Sequence, residues 1–226
     1  MPREIASHAA VKNHARRLGL KPSEILLDRS YHHAAMGKLA NGNKRGRPDI
    51  AHFALMEALS TPLFMKGMLR VYVHTIDDKL IAIADHLRIP KSYFRFEGLM
   101  VGLFRDKIVK SDKGAVLMEV SDGTLADLLE SIKPTKIIGL STAGVQGTAE
   151  NAVTENFDED LAFVIGGFPR GHFSESTTKL LSLTYSVSDL ELEAHVVIAR
   201  MLYECEKLLE PGVHHEGDEE RRQVGA

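Results

Sequence analysis

From residue 115 onward, short apolar runs alternate with amphipathic ones: AVLMEVS, TLADLLESI, KIIGLST, LAFVIGGF, KLLSLTYSV and finally ELEAHVVIARMLYECEKLLE. Runs of Ile, Val and Leu without polar alternation suit strands covered on both faces, and the intervening helical patterns supply the cover. The alternation therefore predicts an α/β fold with a mostly parallel sheet and a long carboxy-terminal helix. Between two of the strands, AGVQGTAENAVTENFDED is polar and is expected to be a loop with a helical turn. Residues 211–226, which include EGDEE, are expected to be a flexible tail.

The first half has a different rhythm. SHAAVKNHARRLG has helical spacing and a stop at Gly19. SEILLDRS is expected to be a short buried strand, and YHHAAMGKL a helical turn or two. Pro48 and Asp49 suit the first turn of a helix through DIAHFALMEALS, because proline there lacks only an orphan donor and a carboxylate complements the helix dipole. LRVYVHT and KLIAIAD read as a hairpin, RIPKSYFRF as a connector and FEGLMVGLF as an apolar helix.

Charge divides the chain. Residues 1–107 carry 18 Lys and Arg against 10 Asp and Glu, whereas the remainder carries 10 against 21. The cationic half points to a polyanionic partner, most sharply at NKRGRPDI, where Lys44, Arg45 and Arg47 precede Asp49. A single cysteine, Cys205, excludes an internal disulfide framework and a CxxC zinc site, and reads as a residue of the last helix. No run is apolar enough to span a bilayer, and the amino terminus lacks a secretory pattern, so a cytoplasmic domain is expected.

Three loops follow strands in the second half: GLSTAG, GGFPRGHF and SDLELEA. Ligands gather at the carboxyl ends of strands in open α/β sheets, so these loops are expected to share one pocket. GGFPRG is neither a dinucleotide fingerprint nor a phosphate-binding P-loop. GLSTAG offers Ser141 as a nucleophile but lacks the GxSxG elbow, and the sequence places no histidine to activate it. His172 falls near the pocket, where a backbone hydrogen bond is its default. Adjacent His32 and His33 lack HExxH spacing and are assigned surface or capping roles, so no metal is expected.

Taken together in order, LLDRSYHHAAM, KRGRPDIAHFAL, YVHT, RIPKSYFRFEGLMVGLF, IGLST and VIGGFPRGHF resemble the ribosome-biogenesis pseudouridine N1-methyltransferases of the SPOUT class, and their archaeal branch most closely. The resemblance implies a homodimeric α/β knot with a deep carboxy-terminal trefoil and a small β-containing insertion. It implies one domain over residues 1–210, with an RNA-binding part near 28–107 and a cofactor-binding knot near 137–208. S-adenosylmethionine is then expected against Leu140, Ser141, Thr142, Gly166, Gly171, Val187, Ser188, Asp189, Leu190, Glu191 and Leu192, held mostly by backbone hydrogen bonds.

By the same resemblance Arg47 contacts small-subunit rRNA around the target nucleotide and Asp49 holds that arginine in place, the pair forming the catalytic centre. Arg88, Lys91 and Arg95 line the same RNA surface. Lys91 stands where the family has arginine, which keeps charge and loses the bidentate fork. Ribosomal proteins of the small subunit are possible further partners. The resemblance implies an additional strand at the start that this sequence is expected to lack, which leaves an open sheet edge. His195 replaces an aromatic residue on the dimer-forming helix. The competing functions are a catalytically weak rRNA-binding assembly factor and a hydrolase using Ser141.

Overall fold

The computed structural model describes residues 1–157 and 160–209. The expected tail at 211–226 lies outside the described residues. The elements run in the order α1 (Ala9–Leu18), α2 (Arg29–His32), α3 (Pro48–Ala58), α4 (Pro62–Met65), β1 (Tyr72–His74), β2 (Lys79–Ile83), α5 (Tyr93–Asp106), β3 (Ile108–Lys110), β4 (Val116–Asp122) and α6 (Leu125–Ile132). They continue with β5 (Lys136–Gln146), α7 (Ala149–Thr154), β6 (Leu161–Ile165), α8 (Glu175–Thr178), β7 (Leu183–Ser186) and α9 (Ala194–Leu209).

Local chemistry sets many of the boundaries. Gly19 ends α1 in the left-handed conformation, and Pro48 occupies the first turn of α3 with Asp49 beside it. Thr124 and Asp127 cap α6 reciprocally. On α5 the buried residues Phe96, Met100 and Leu103 recur at helical spacing and turn one face to the core.

Two sheets result. Strands β1, β2, β4 and β3 form an antiparallel sheet in that order, and β6, β5 and β7 form a parallel one with β5 in the middle. AVLMEVS is thus a strand, as expected, but it pairs antiparallel with β2 and β3 rather than joining the parallel sheet. Its alternation of buried Met118 and Val120 with exposed Glu119 marks a strand covered on one face. β6 is an edge strand of the parallel sheet among the described residues. A cleft of about 1660 Å³ runs beside it, walled also by β1 and by parts of α3, α5 and α6.

One core cluster packs α3 and α5 against the antiparallel sheet, and a second packs α7 and α9 against the parallel sheet. Leu69 and Val71 touch both and join the two halves. A third, smaller cluster gathers around Val11 and Ala15 of α1.

Two local expectations fail. Residues 25–28 form no strand: Ile25 is buried among the α1 cluster, so its apolar run reflects side-chain burial without strand pairing. AGVQ, expected in a loop, is the second part of β5, while the helical turn after it is α7.

Candidate methyl-donor and RNA site

A small cavity of about 120 Å³ lies at the carboxyl ends of the parallel strands. Leu140, Ser141, Thr142, Gly166, Gly171, Val187, Ser188, Leu190, Glu191 and Leu192 all line it, together with His172. Asp189 does not line it. A break in β5 opens the cavity: Tyr185 pairs with both Leu140 and Val145, leaving 141–144 outside the ladder. Gly144 makes that geometry possible, because a Cβ there would lie 2.5 Å from the Thr184 carbonyl. The third loop is fixed from within, Ser186 Oγ donating to the Ser188 carbonyl at 2.9 Å and the Leu190 amide to Ser188 Oγ at 3.1 Å.

The donor set fits a nucleoside bearing a sulfonium. Leu140, Ile165, Val187 and Val197 give the cavity apolar walls of the kind a purine packs against, and the Glu191 carboxylate has the sign that complements a sulfonium, while the space beside Gly166 and Gly171 is taken by the Phe168 ring and the Lys44 stem.

His172 corrects the expectation that no histidine accompanies Ser141: its Nδ1 is 3.3 Å from Ser141 Oγ. The pair does not make a hydrolase. No carboxylate orients His172 among the described residues, and Ser141 Oγ already accepts from the Ala143 amide at 3.3 Å.

The cationic loop sits against this cavity. Lys44 Nζ donates to the His172 carbonyl and lies 4.9 Å from the centroid of the Phe168 ring. Its stem fills the space left by Gly171, whose φ is +90°. The three cations of the loop are separately committed. Arg45 is largely buried and bidentate to Asp77 at 2.6 and 3.1 Å. Arg47 grips Asp49 through Nε at 2.8 Å and Nη2 at 2.7 Å, yet keeps 40% of its side chain exposed. That hydrogen-bonded pairing raises the Arg47 pKa and holds the Asp49 carboxyl below its ordinary range.

Buried polar contacts brace the loop. His32, assigned to the surface, is fully buried, whereas His33 is exposed as expected. The Asp28 amide donates to His32 Nδ1 at 3.0 Å, so the neutral ring carries its proton on Nε2 and donates to His14 Nδ1 at 3.0 Å. Tyr93 donates its hydroxyl to Asp28 at 2.8 Å. Arg29 donates to the Gly42 carbonyl at 2.6 Å through its side chain, and to the Gly46 carbonyl at 2.8 Å through its amide.

His52, on α3 one turn after Asp49, bonds through Nε2 to the Pro90 carbonyl at 2.8 Å and stacks on Phe96 at 4.4 Å. This contact fastens the connector bearing Arg88 and Lys91 to the helix that starts at Arg47. Arg88, Lys91 and Arg95 are all exposed. His195 packs its ring 5.6 Å from Phe53. His52 escaped assignment from sequence, and Lys44 and His172, each singled out there, belong to no spacing pattern that would have joined them.

The model of the EMG1/NEP1 methyltransferase family matches residues 4–206. The ribosomal RNA small subunit methyltransferase Nep1 of Staphylothermus marinus is 39% identical over 208 residues, covering 92% of this chain and 90% of the relative. Its counterpart in Thermococcus onnurineus is 41% identical over 189 residues, covering 80% and 83%. The crystal structure of Archaeoglobus fulgidus Nep1 bound to S-adenosylhomocysteine superimposes with a TM-score of 0.79 at 33% identity, covering 92% of each chain.

Proposed function

The chain belongs to the EMG1/NEP1 methyltransferase family, and on that premise we propose that it methylates N1 of a pseudouridine in small-subunit rRNA. It uses S-adenosylmethionine and acts as a cytoplasmic homodimer in ribosome biogenesis, with small-subunit ribosomal proteins as further partners. Residues 28–107 serve RNA and the knotted stretch 137–208 serves the cofactor, within one domain. The observation that carries this reading is the contact of Lys44 with Phe168 and His172, which ties the cationic loop to two residues that line the cavity.

When bound, S-adenosylmethionine supplies an electrophilic methyl on a sulfonium. The chain's part is to position. The loops at 140–142, 166–171 and 187–192 hold the donor through backbone groups, and Arg47, aimed by Asp49, presents a fixed guanidinium to the nucleotide. Asp49 is a poor proton acceptor because Arg47 stabilises its charged form. Its role is to orient the arginine, whose charge favours the N1 anion that must form before methylation. Arg88, Lys91 and Arg95 extend the cationic surface for phosphates.

Calorimetric titration tests this division of labour. Wild-type protein should bind S-adenosylmethionine and an rRNA stem-loop separately, and Arg47→Ala should weaken RNA binding while sparing the cofactor. Equal loss of both would refute it. RNA binding without cofactor binding would leave the assembly-factor function in its place.

A further inference from the structure

Phe94 is the most exposed large apolar side chain among the described residues, at 74% accessible, whereas the other α5 aromatics are buried, as Phe96 is, or half-buried, as Tyr93 and Phe104 are. Phe96 is 1% accessible and stacks on His52, and Tyr93 is tied to Asp28. These contacts fix the first turn of α5. At about 100° per residue they turn the ring between them away from the core.

Phe94 therefore has no packing role in its own fold, and its surroundings say what could cover it. Arg95 follows it, Lys91 precedes it by three residues, and Arg88 lies in the same connector, all exposed. Such a density of cations disfavours an apolar protein interface, whose centre is depleted of lysine. It matches the composition of a single-stranded nucleic-acid platform, in which cations follow the backbone and an aromatic face receives a base.

Resting on the rRNA reading above, we infer that Phe94 stacks against an unpaired base of the RNA. Stacking is indifferent to base identity, so Phe94 contributes affinity for unpaired RNA over duplex. Sequence preference comes from elsewhere on the surface.

The chain contains no tryptophan, so Phe94→Trp creates a single indole reporter at this position. Its emission should be quenched by a small-subunit rRNA stem-loop containing pseudouridine, and not by a fully paired duplex of equal length. Phe94→Ala should weaken stem-loop binding at least about fivefold, and Phe94→Tyr should restore it. The salt dependence separates the roles: Phe94→Ala leaves the slope of log affinity against log salt unchanged, whereas Lys91→Ala lowers it by about 0.7.

Wild-type binding matched by Phe94→Ala, or an indole indifferent to bound RNA, overturns the stacking role alone. Failure of the wild type to bind the stem-loop overturns the functional reading beneath it. A change in oligomeric state of Phe94→Ala by light scattering, with RNA affinity intact, would assign the ring to a contact between copies and refute the inference.

Discussion

Acidification should loosen the brace behind the cationic loop. Burial first, then the neighbouring His14, pulls the pKa of His32 from 6.5 to about 4. The unfolded chain takes up this proton below 6.5 and the folded chain only near 4, so the stabilisation is complete above 6.5 and is lost as pH falls through that window. With about 1.4 kcal/mol per pKa unit, the loss between about pH 7.5 and 4.5 is about 2 to 3 kcal/mol. The hydrogen bonds of the buried ring also suit its neutral form. A proton on His32 Nδ1 would face the Asp28 amide that now donates to it. His14, also lowered by burial, adds to the loss, while Glu97, raised by burial, opposes it.

The variant His32→Asn isolates the effect, because its amide oxygen still accepts from Asp28 and does not titrate. Urea unfolding followed by circular dichroism at both pH values gives the comparison. Wild-type protein should lose about 2 kcal/mol more than the variant on acidification. Equal losses in the two proteins would refute the assigned tautomer and the burial argument together.

Asp49→Ala should lower stability by no more than about 1 kcal/mol, since the ion pair is partly exposed, yet weaken RNA binding as much as Arg47→Ala does. The double variant should then be no worse than either single one in a filter-binding cycle, and additive losses would contradict the orienting role. Lys44→Met keeps an apolar stem over Phe168 but removes the bond to the His172 carbonyl. Calorimetry should show cofactor affinity reduced about fivefold, corresponding to about 1 kcal/mol, and no change would detach the cationic loop from the cofactor loop. Gly144→Ala forces a methyl group into the Thr184 backbone. A loss of about 2 kcal/mol in thermal unfolding is expected, and a variant as stable as the wild type would contradict the close strand approach.

Patterns with a local cause were legible in the sequence. The first-turn Pro48 and Asp49, the stop at Gly19 and the apolar runs of β5 and β6 all behave as local chemistry requires, although β6 is only half-buried. That the three post-strand loops share one cavity was legible too, because ends of parallel strands converge. What escaped is non-local. The Lys44 bond to His172 joins residues 128 positions apart, and no periodicity encodes it. His32 looked like a surface residue because its partner His14 is brought to it by how α1 packs. The residues at 25–28 mimic a strand because burial and pairing leave the same apolar signature in a short run.

Methyl transfer to paired substrates addresses the central claim most directly. Labelled S-adenosylmethionine is incubated with the protein and two rRNA stem-loops that differ only in uridine or pseudouridine at the target position, and the products are analysed by mass spectrometry. Label on N1 of the pseudouridine loop, with none on the uridine loop and strong loss in Arg47→Ala, is the predicted result. Equal labelling of both loops, or of neither by protein that binds cofactor and RNA, would contradict it.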